Sequence, residues 1–198
     1  RMPLGEIIRG RKTSPQTLAR ALDLVQAMKK TPIVVNDGPG FFTSRFIGAY
    51  INESLAMVTE GVNPALIENA AKMAGIPVGP LTVSDEIGLD TAYHASQQRK
   101  KDEGDAFKPT PTFSLVEKLV GELGRHGRKN AKGFFEYAED GSKKLWSGLA
   151  ELFPPLAEQP TVDQVKARML YAQLVDAAKA MAEGVLIAPA DGDVGSIL

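Results

Sequence analysis

Three short stretches hold the residues whose types and spacing suggest chemistry. Glu6 is an acid within the apolar run "LGEIIRG", the turn "NDGPG" at 36–40 leads to Thr43 and Ser44, and a basic, glycine-rich stretch surrounds Lys129. An acid among apolar neighbours either faces solvent at the edge of a sheet or orients a partner group. The residues alone leave these two alternatives for Glu6 open.

The turn at 36–40 stands between an apolar, β-branched strand and a long helical pattern. Glycine and proline at this density force a sharp change of direction. Thr43 and Ser44 follow at the positions of a helix cap. A plain connection between two domains and a ligand site at the turn are both compatible with this pattern.

Composition excludes several classes of protein and site. The 198 residues suffice for one large or two small domains, and a net charge of −1 excludes wholesale attraction of nucleic acid or acidic membranes. Without cysteine there is no disulfide, thiolate metal site or cysteine nucleophile, which fits a reducing compartment. No apolar run is long enough for a membrane span. Neither His94 nor His126 has metal-ligand partners at useful spacing.

Residues 1–36 predict a strand, a helix and a second strand. The helix is marked by Ser14 as candidate N-cap and Pro15 at its first position. Strand, helix and strand of this length are typical of a parallel α/β sheet. Because two strands do not make a stable sheet, we expect this segment to be the tail of an α/β domain whose body precedes it.

From Ser44 onward the hydrophobic pattern is nearly all helical. The stretch "GFFEY" at 133–137 predicts a short strand, and residues 139–160 are polar, broken by proline and typical of a linker with a short helix. Helices are predicted at 44–61, 63–75, 81–104, 113–123 and 161–184, with a further one starting after residue 187.

The two longest amphipathic patterns resemble each other. Arg168 laid on Arg45 without gaps aligns "RMLYAQLVDAAKAMAEGV" with "RFIGAYINESLAMVTEGV", and helices starting at Pro64 and Pro189 follow. Amphipathic helices also resemble each other by chance. The shared "EGV" before a proline-started helix favours an internal repeat.

Four motifs in order resemble one family. "RMPLGEIIRGRKTS", "TPIVVNDGPGFFTSRF", "GIPVGPLTVSDEIGLDT" and "GRKNAKGFFEY" are similar to the L-3-hydroxyacyl-CoA dehydrogenases of fatty-acid β-oxidation. The continuation after "GFFEY" resembles the multifunctional α subunits of fatty-acid oxidation complexes. The resemblance covers the whole chain.

The resemblance implies a mainly α fold. We expect the C-terminal all-helical domain of a 3-hydroxyacyl-CoA dehydrogenase with an internal helical repeat, preceded by the strand–helix–strand tail of a Rossmann-type α/β domain. The expected division is the NAD-binding tail at 1–36, the helical domain at 37–138, a linker at 139–160 and a second, truncated helical repeat at 161–198.

The resemblance also implies an activity and its residues. Members oxidise (S)-3-hydroxyacyl-CoA to 3-ketoacyl-CoA with NAD as hydride acceptor, using a histidine base whose segment would precede Arg1. Glu6 falls on the glutamate that pairs with this histidine. Ser44 falls where the family usually has a substrate-binding asparagine. Lys129 falls on a lysine near the cofactor, and Ala131 replaces a glycine usual beside it.

The implied partners are a 3-hydroxyacyl-CoA substrate and, in the full complex, a thiolase β subunit, with neither nucleic acid nor a membrane span. We expect a cytoplasmic, bacterial protein in which the helical repeat forms an intramolecular pseudo-dimer. The 198 residues alone are predicted to be inactive, since the histidine and a glycine-rich nucleotide loop are not among them. The alternative is a non-catalytic helical assembly or dimerisation module of a β-oxidation protein.

Overall fold

The computed structural model describes residues 2–198, except for the side chains of Arg99 and Glu103. Short 3₁₀ turns lie at Gly104–Ala106 and Arg128–Asn130, and a π-helical stretch at Glu117–Glu122. The strands are β1 (Leu4–Arg9), β2 (Thr31–Asn36), β3 (Phe135–Tyr137) and β4 (Lys143–Leu145). The α-helices are α1 (Pro15–Ala27), α2 (Thr43–Thr59), α3 (Pro64–Met73), α4 (Pro80–Ile87), α5 (Leu89–Glu103), α6 (Pro111–Val116), α7 (Gly148–Leu152), α8 (Val162–Ala182) and α9 (Pro189–Ile197).

The chain divides into two compact units. The first contains Arg1–Tyr50 and Leu170–Leu198, and the second contains Ile51–Met169. The division therefore falls within α2 and within α8. No helix among the described residues combines the length and apolar character that crossing a membrane requires.

The strand–helix–strand prediction is confirmed in the first unit. β1 and β2 pair in parallel, with Leu4 opposite Thr31 and Arg9 opposite Asn36, and α1 connects them. α1 begins as predicted, because the Ser14 hydroxyl accepts a hydrogen bond from the amide of Thr17. The mainly α character of the rest of the chain is also confirmed.

Residues distant in sequence close the core of the first unit. Ile33, Val35 and Phe42 are fully buried against residues that follow α8 or lie near its end. Val35 also forms an isolated antiparallel bridge with Leu186. The core partners from the C-terminal part of the chain are Ala180, Val185 and Leu186.

In the second unit one helix prediction is wrong. The pattern at 81–104 predicts a single helix, but the chain forms α4 and α5 with a break at Gly88. Gly88 has φ of +98°, a conformation that only glycine adopts readily. The amide of Leu89 bonds to the carbonyl of His126 rather than to the preceding turn, so a tertiary contact ends the first helix.

The segment 139–160, expected to be a linker, contains β4 and α7. β4 pairs antiparallel with the predicted strand β3, and Phe135 lies opposite Leu145. β4 was not predicted, because a three-residue strand with two lysines shows no hydrophobic alternation. The region at 113–123 is helical as expected, although it is π-helical after Val116.

Candidate functional site

Glu6 lies on β1 and accepts hydrogen bonds from the start of α2. Its Oε1 accepts from the amides of Phe42 (2.9 Å) and Thr43 (3.1 Å), and its Oε2 accepts from the Thr43 hydroxyl (2.7 Å). A carboxylate at a helix N-terminus satisfies amides that lack an intrahelical partner. Among the described residues, the group that Glu6 orients is therefore the backbone at the start of α2.

Ser44 is the second residue of α2, directly after the residue that Glu6 holds. Its side chain is exposed, and none of the described residues forms a hydrogen bond with its hydroxyl. The structure thus brings Glu6 and Ser44 to the same helix start. The roles assigned to the two residues by resemblance stay predictions.

The turn before α2 is shaped by close packing. Gly40 and Phe41 have positive φ values of +77° and +49°. A Cβ on Gly38 would come within 2.6 Å of the Val185 side chain, so only glycine fits there. The amide of Asn36 also bonds to the carbonyl of Val185 at 2.8 Å. The turn is therefore fastened to the segment that follows α8, which the sequence did not predict.

Arg45 follows Ser44 and is held by two acids of the first unit. Its Nε and Nη2 bond to the two carboxylate oxygens of Asp176 at 3.0 Å each, and its Nη1 bonds to Glu183 at 2.6 Å. These hydrogen bonds, the ones donated to Asp176 foremost, raise the pKa of Arg45. The acids lie on α8 and just after it, so they join the start of α2 to that helix.

Lys129 lies in the second unit and forms an ion pair with Asp90 on α5. This hydrogen bond lowers the pKa of Asp90. The other Asp90 oxygen, Oδ1, is buried without a hydrogen-bond partner among the described residues. The ammonium of Lys129 is thus already engaged, and the place near the cofactor that the resemblance implies for it stays a prediction.

The two arginines of the basic stretch are also engaged, one by burial and one by an ion pair. Arg125 is buried, donates to the carbonyl of Gly133 at 2.8 Å and stacks on Trp146 with 3.9 Å to the ring centre. Arg128 pairs with Glu86 on α4 at 3.2 Å. These arginines fasten the loop to its own unit and do not form a free cationic patch.

Asp85 on α4 organises the β3 strand. It is 1% exposed and accepts from the amides of Phe134 (2.8 Å) and Phe135 (2.9 Å) and from the Tyr137 hydroxyl (3.0 Å). Burial raises the pKa of Asp85, and the hydrogen bonds oppose this shift. Sequence reasoning missed Asp85, although an acid within an apolar helical pattern is the same signal that pointed to Glu6.

Glu68 repeats the arrangement of Glu6 at another helix start. Its Oε1 accepts from the amides of Leu81 (2.7 Å) and Thr82 (3.1 Å), and its Oε2 accepts from the Thr82 hydroxyl (2.7 Å). Glu68 is 6% exposed, and a Cβ on Gly79 would overlap its carboxylate. Glu68 caps α4 and is enclosed, and nothing in the sequence pattern pointed to it.

Two family models match adjacent parts of the chain. The model described as 3-hydroxyacyl-CoA dehydrogenase, NAD binding domain, matches residues 1–38. The model described as 3-hydroxyacyl-CoA dehydrogenase, C-terminal domain, matches residues 40–137. The two matched ranges meet at the glycine–proline turn.

Relatives align along the whole chain. It is 37% identical over 201 residues to the fatty acid oxidation complex subunit alpha of Shewanella loihica and 36% identical over 201 residues to that of Shewanella putrefaciens. Each alignment covers 100% of this chain and 28% of the relative. The chain therefore spans about a quarter of the length of these relatives.

Solved structures share the fold. The (S)-3-hydroxybutyryl-CoA dehydrogenase PaaH1 from Ralstonia eutropha is 33% identical with a TM-score of 0.59, over 70% of this chain and 48% of that protein. The 3-hydroxybutyryl-CoA dehydrogenase from Escherichia coli K12 is 20% identical with a TM-score of 0.68, over 96% of this chain and 56% of that protein. The second likeness shows the fold alone.

Proposed function

Since this chain belongs to the 3-hydroxyacyl-CoA dehydrogenase family, we propose that it forms part of an NAD-dependent oxidoreductase that converts (S)-3-hydroxyacyl-CoA to 3-ketoacyl-CoA in fatty-acid β-oxidation. The chain spans only 28% of the relatives' length, so family membership by itself does not establish the activity of the whole protein. The observation that carries the proposal beyond family membership is the hydrogen bonding of Glu6.

Glu6 has room for one more donor. An ionised carboxylate offers about four acceptor positions, and Phe42 and Thr43 occupy three of them. Glu6 is only partly buried, so an imidazole N–H can reach the remaining position on Oε2. We assign this position to a histidine from residues that precede this sequence. Glu6 then fixes the tautomer of that histidine and stabilises its charged form.

Ser44 supplies a hydrogen-bond donor beside this dyad. Its exposed hydroxyl, unbonded among the described residues, is free to donate to the substrate oxygen that becomes the carbonyl. The serine side chain is shorter than the asparagine side chain usual at this position. Where the substrate oxygen lies beyond direct reach of the Ser44 hydroxyl, a water bridges the two groups.

NAD would accept the hydride from the substrate carbon when it is bound. The 198 residues contain no G-x-G-x-x-G loop, which would bind the NAD pyrophosphate. The described residues therefore supply only a part of the cofactor site. Among them we assign Lys129 to a cofactor phosphate, which it can contact only by sharing its ammonium with Asp90.

The test compares two glutamates that accept the same set of hydrogen bonds. In the full-length protein that carries this sequence, Glu6→Gln should lower kcat/KM for acetoacetyl-CoA and NADH by roughly 10²- to 10⁴-fold. The amide keeps the shape of the cap but loses the charge that supports the imidazolium. The histidine then has a lower pKa, so the alkaline fall of kcat/KM should move to lower pH.

Glu68→Gln is the matched control, because Glu68 caps α4 with an identical set of donors. It should leave kcat/KM and the pH profile unchanged while it lowers thermal stability. Equal kinetics for Glu6→Gln and wild type would contradict the dyad. A wild-type protein without turnover would favour the non-catalytic assembly module instead.

The same proposal includes partners of the whole protein. Relatives named fatty acid oxidation complex subunit alpha support assembly with a β subunit, which we assign to a thiolase, and their bacterial origin supports a cytoplasmic location. The proposal also keeps the expected division of the chain. This division comprises an NAD-binding tail at 1–36, a helical domain at 37–138, a linker at 139–160 and a second helical repeat at 161–198.

Reciprocal ion pairs support an intramolecular pseudo-dimer. In the first unit Arg45 of α2 pairs with Asp176 of α8, and in the second unit Arg168 of α8 pairs with Glu53 of α2. When Arg45 is aligned with Arg168, Glu53 aligns with Asp176. An exchange of equivalent partners is typical of an isologous interface. We therefore propose that the repeat replaces the dimer contact of shorter family members.

A further inference from the structure

We propose that Arg45, Asp176 and Glu183 form a clamp that positions Ser44 for its hydrogen bond to the substrate oxygen. We call this group the α2 clamp. The inference rests on the proposed dehydrogenase function and extends it to residues that do not touch the substrate. Arg45 and the two acids are positioning residues.

Ser44 depends on its neighbours for its position. Its hydroxyl has no hydrogen bond with the described residues, so its location follows from where the first turn of α2 lies. Thr43 on one side is held by Glu6, and Arg45 on the other side is held by the acids of the clamp. A donor must be placed within a few tenths of an ångström to act on a developing charge.

The clamp is built to fix an orientation and not only a distance. Arg45 makes a two-pronged contact with Asp176, and Glu183 engages a third nitrogen. A bidentate guanidinium–carboxylate pair restricts rotation as well as translation. The side chains of Arg45 and Asp176 are only 15% and 20% exposed, so solvent screens this pair less than a surface pair.

The clamp has a rigid support in the first unit. Ala180 lies on α8 between Asp176 and Glu183 in sequence and is fully buried in the core with Ile33 and Phe42. The Asn36 side chain bonds to the carbonyl of Gly184 at 2.8 Å, directly after Glu183. The acids are thus tied to the strand and turn that precede Ser44, so movement of α2 relative to that turn would break the clamp.

The repeat provides an internal control. Arg168 bonds to Glu53 at 2.7 Å and to Glu60 at 2.5 and 3.0 Å, which reproduces the clamp chemistry in the second unit. The residues beside Arg168 are Ala167 and Met169, which carry no hydroxyl. Arg168 therefore positions no donor comparable to Ser44. Loss of Arg168 removes a similar set of ion pairs without touching the first turn of α2.

The experiment compares Arg45→Gln with Arg168→Gln in the full-length protein that carries this sequence. Arg45→Gln should lower kcat by up to roughly 10-fold, no more than Ser44→Ala does, with a smaller change in KM, because a misplaced donor acts in the transition state. Arg168→Gln should stay within about 2-fold of wild type. In the double variant with Ser44→Ala, Arg45→Gln should cause no further loss, since it acts through Ser44.

A second readout does not depend on turnover. Amide hydrogen exchange of the peptide that contains Phe42 and Thr43 should accelerate in Arg45→Gln and not in Arg168→Gln. If Arg45→Gln is too unstable to purify, Asp176→Asn, which weakens the same contact, replaces it. Conserved activity in Arg45→Gln, or losses that multiply with Ser44→Ala, would overturn the clamp. A wild type without turnover that still shows the exchange difference would refute the dehydrogenase function and reduce the clamp to a structural hold on the start of α2.

Discussion

Glu6 and Glu68 accept the same three hydrogen bonds, yet their surroundings give them different capacities. Each carboxylate binds two amides and a threonine hydroxyl at the start of a helix. Glu68 is buried, whereas Glu6 is partly exposed and keeps an acceptor position open. At the scale of a residue, the environment of a capping acid therefore decides whether it is available to a catalytic partner.

Ser44 provides the sharpest prediction at this scale. In the full-length protein, Ser44→Ala should lower kcat/KM by roughly 10-fold, about the scale of one neutral hydrogen bond. Ser44→Asn should preserve or raise activity, because the amide is also a donor and is the residue usual in the family. Steady-state kinetics with acetoacetyl-CoA and NADH measure both variants. An alanine variant with unchanged kinetics would reduce Ser44 to a helix-start residue.

At the scale of elements, α2 and α8 are held by ion pairs that recur in both units. Arg45 pairs with Asp176 in one unit, and Arg168 pairs with Glu53 and Glu60 in the other. The hydrogen bond from Arg168 lowers the pKa of Glu60 from its ordinary value of 4.5. Stability from this pair is therefore fully present above about pH 4.5 and is lost as the pH falls through the lowered pKa.

The lowered pKa of Glu60 makes the stabilisation by Arg168 depend on pH. Arg168→Gln should unfold more easily than the wild type at pH 6–7, by about 1 kcal/mol or less because the pair is half-exposed. The difference should shrink as the pH falls below 4.5 and through the lowered pKa of Glu60, because the carboxylate then takes up a proton in both proteins. Urea unfolding of the two proteins at a series of pH values measures it. A difference that stays constant down to pH 3 would show that Arg168 stabilises by packing and not by charge.

At the scale of the whole chain, the C-terminal part supplies the core of both units. Val165 and Met169 are fully buried in the second unit, and Ala180 is fully buried in the first. The outer side of α8 nevertheless remains apolar, with Tyr171 65% and Leu174 61% exposed. A large exposed apolar surface is typical of a site where another segment or molecule packs.

Removal of residues 140–198 should therefore expose the inner apolar sides of both units. The truncated chain loses β4 and the helix that pairs with α2, so we expect it to dimerise or aggregate. Sedimentation velocity at matched concentrations, with the intact chain as control, measures the change. A truncated chain that stays a soluble monomer would contradict the pseudo-dimer and make the C-terminal part an independent appendage.

The sequence determined the local structure and the family. Ser14 caps α1 as predicted, because a cap depends on residues within one turn. The four motifs identified the family, which the family models confirm. The candidate residues Glu6 and Ser44 were also found in this way, and the structure places them at one helix start.

Only the tertiary structure decided which distant groups meet. The break at Gly88, the pairing of β4, and the partners of Arg45 and Lys129 all depend on contacts with residues far away in sequence. Hydrophobic periodicity does not contain this information, since it reports which side of an element is buried and not what covers it. Lys129 illustrates the difference, because the family resemblance assigns it to the cofactor and only the structure shows its ion pair with Asp90.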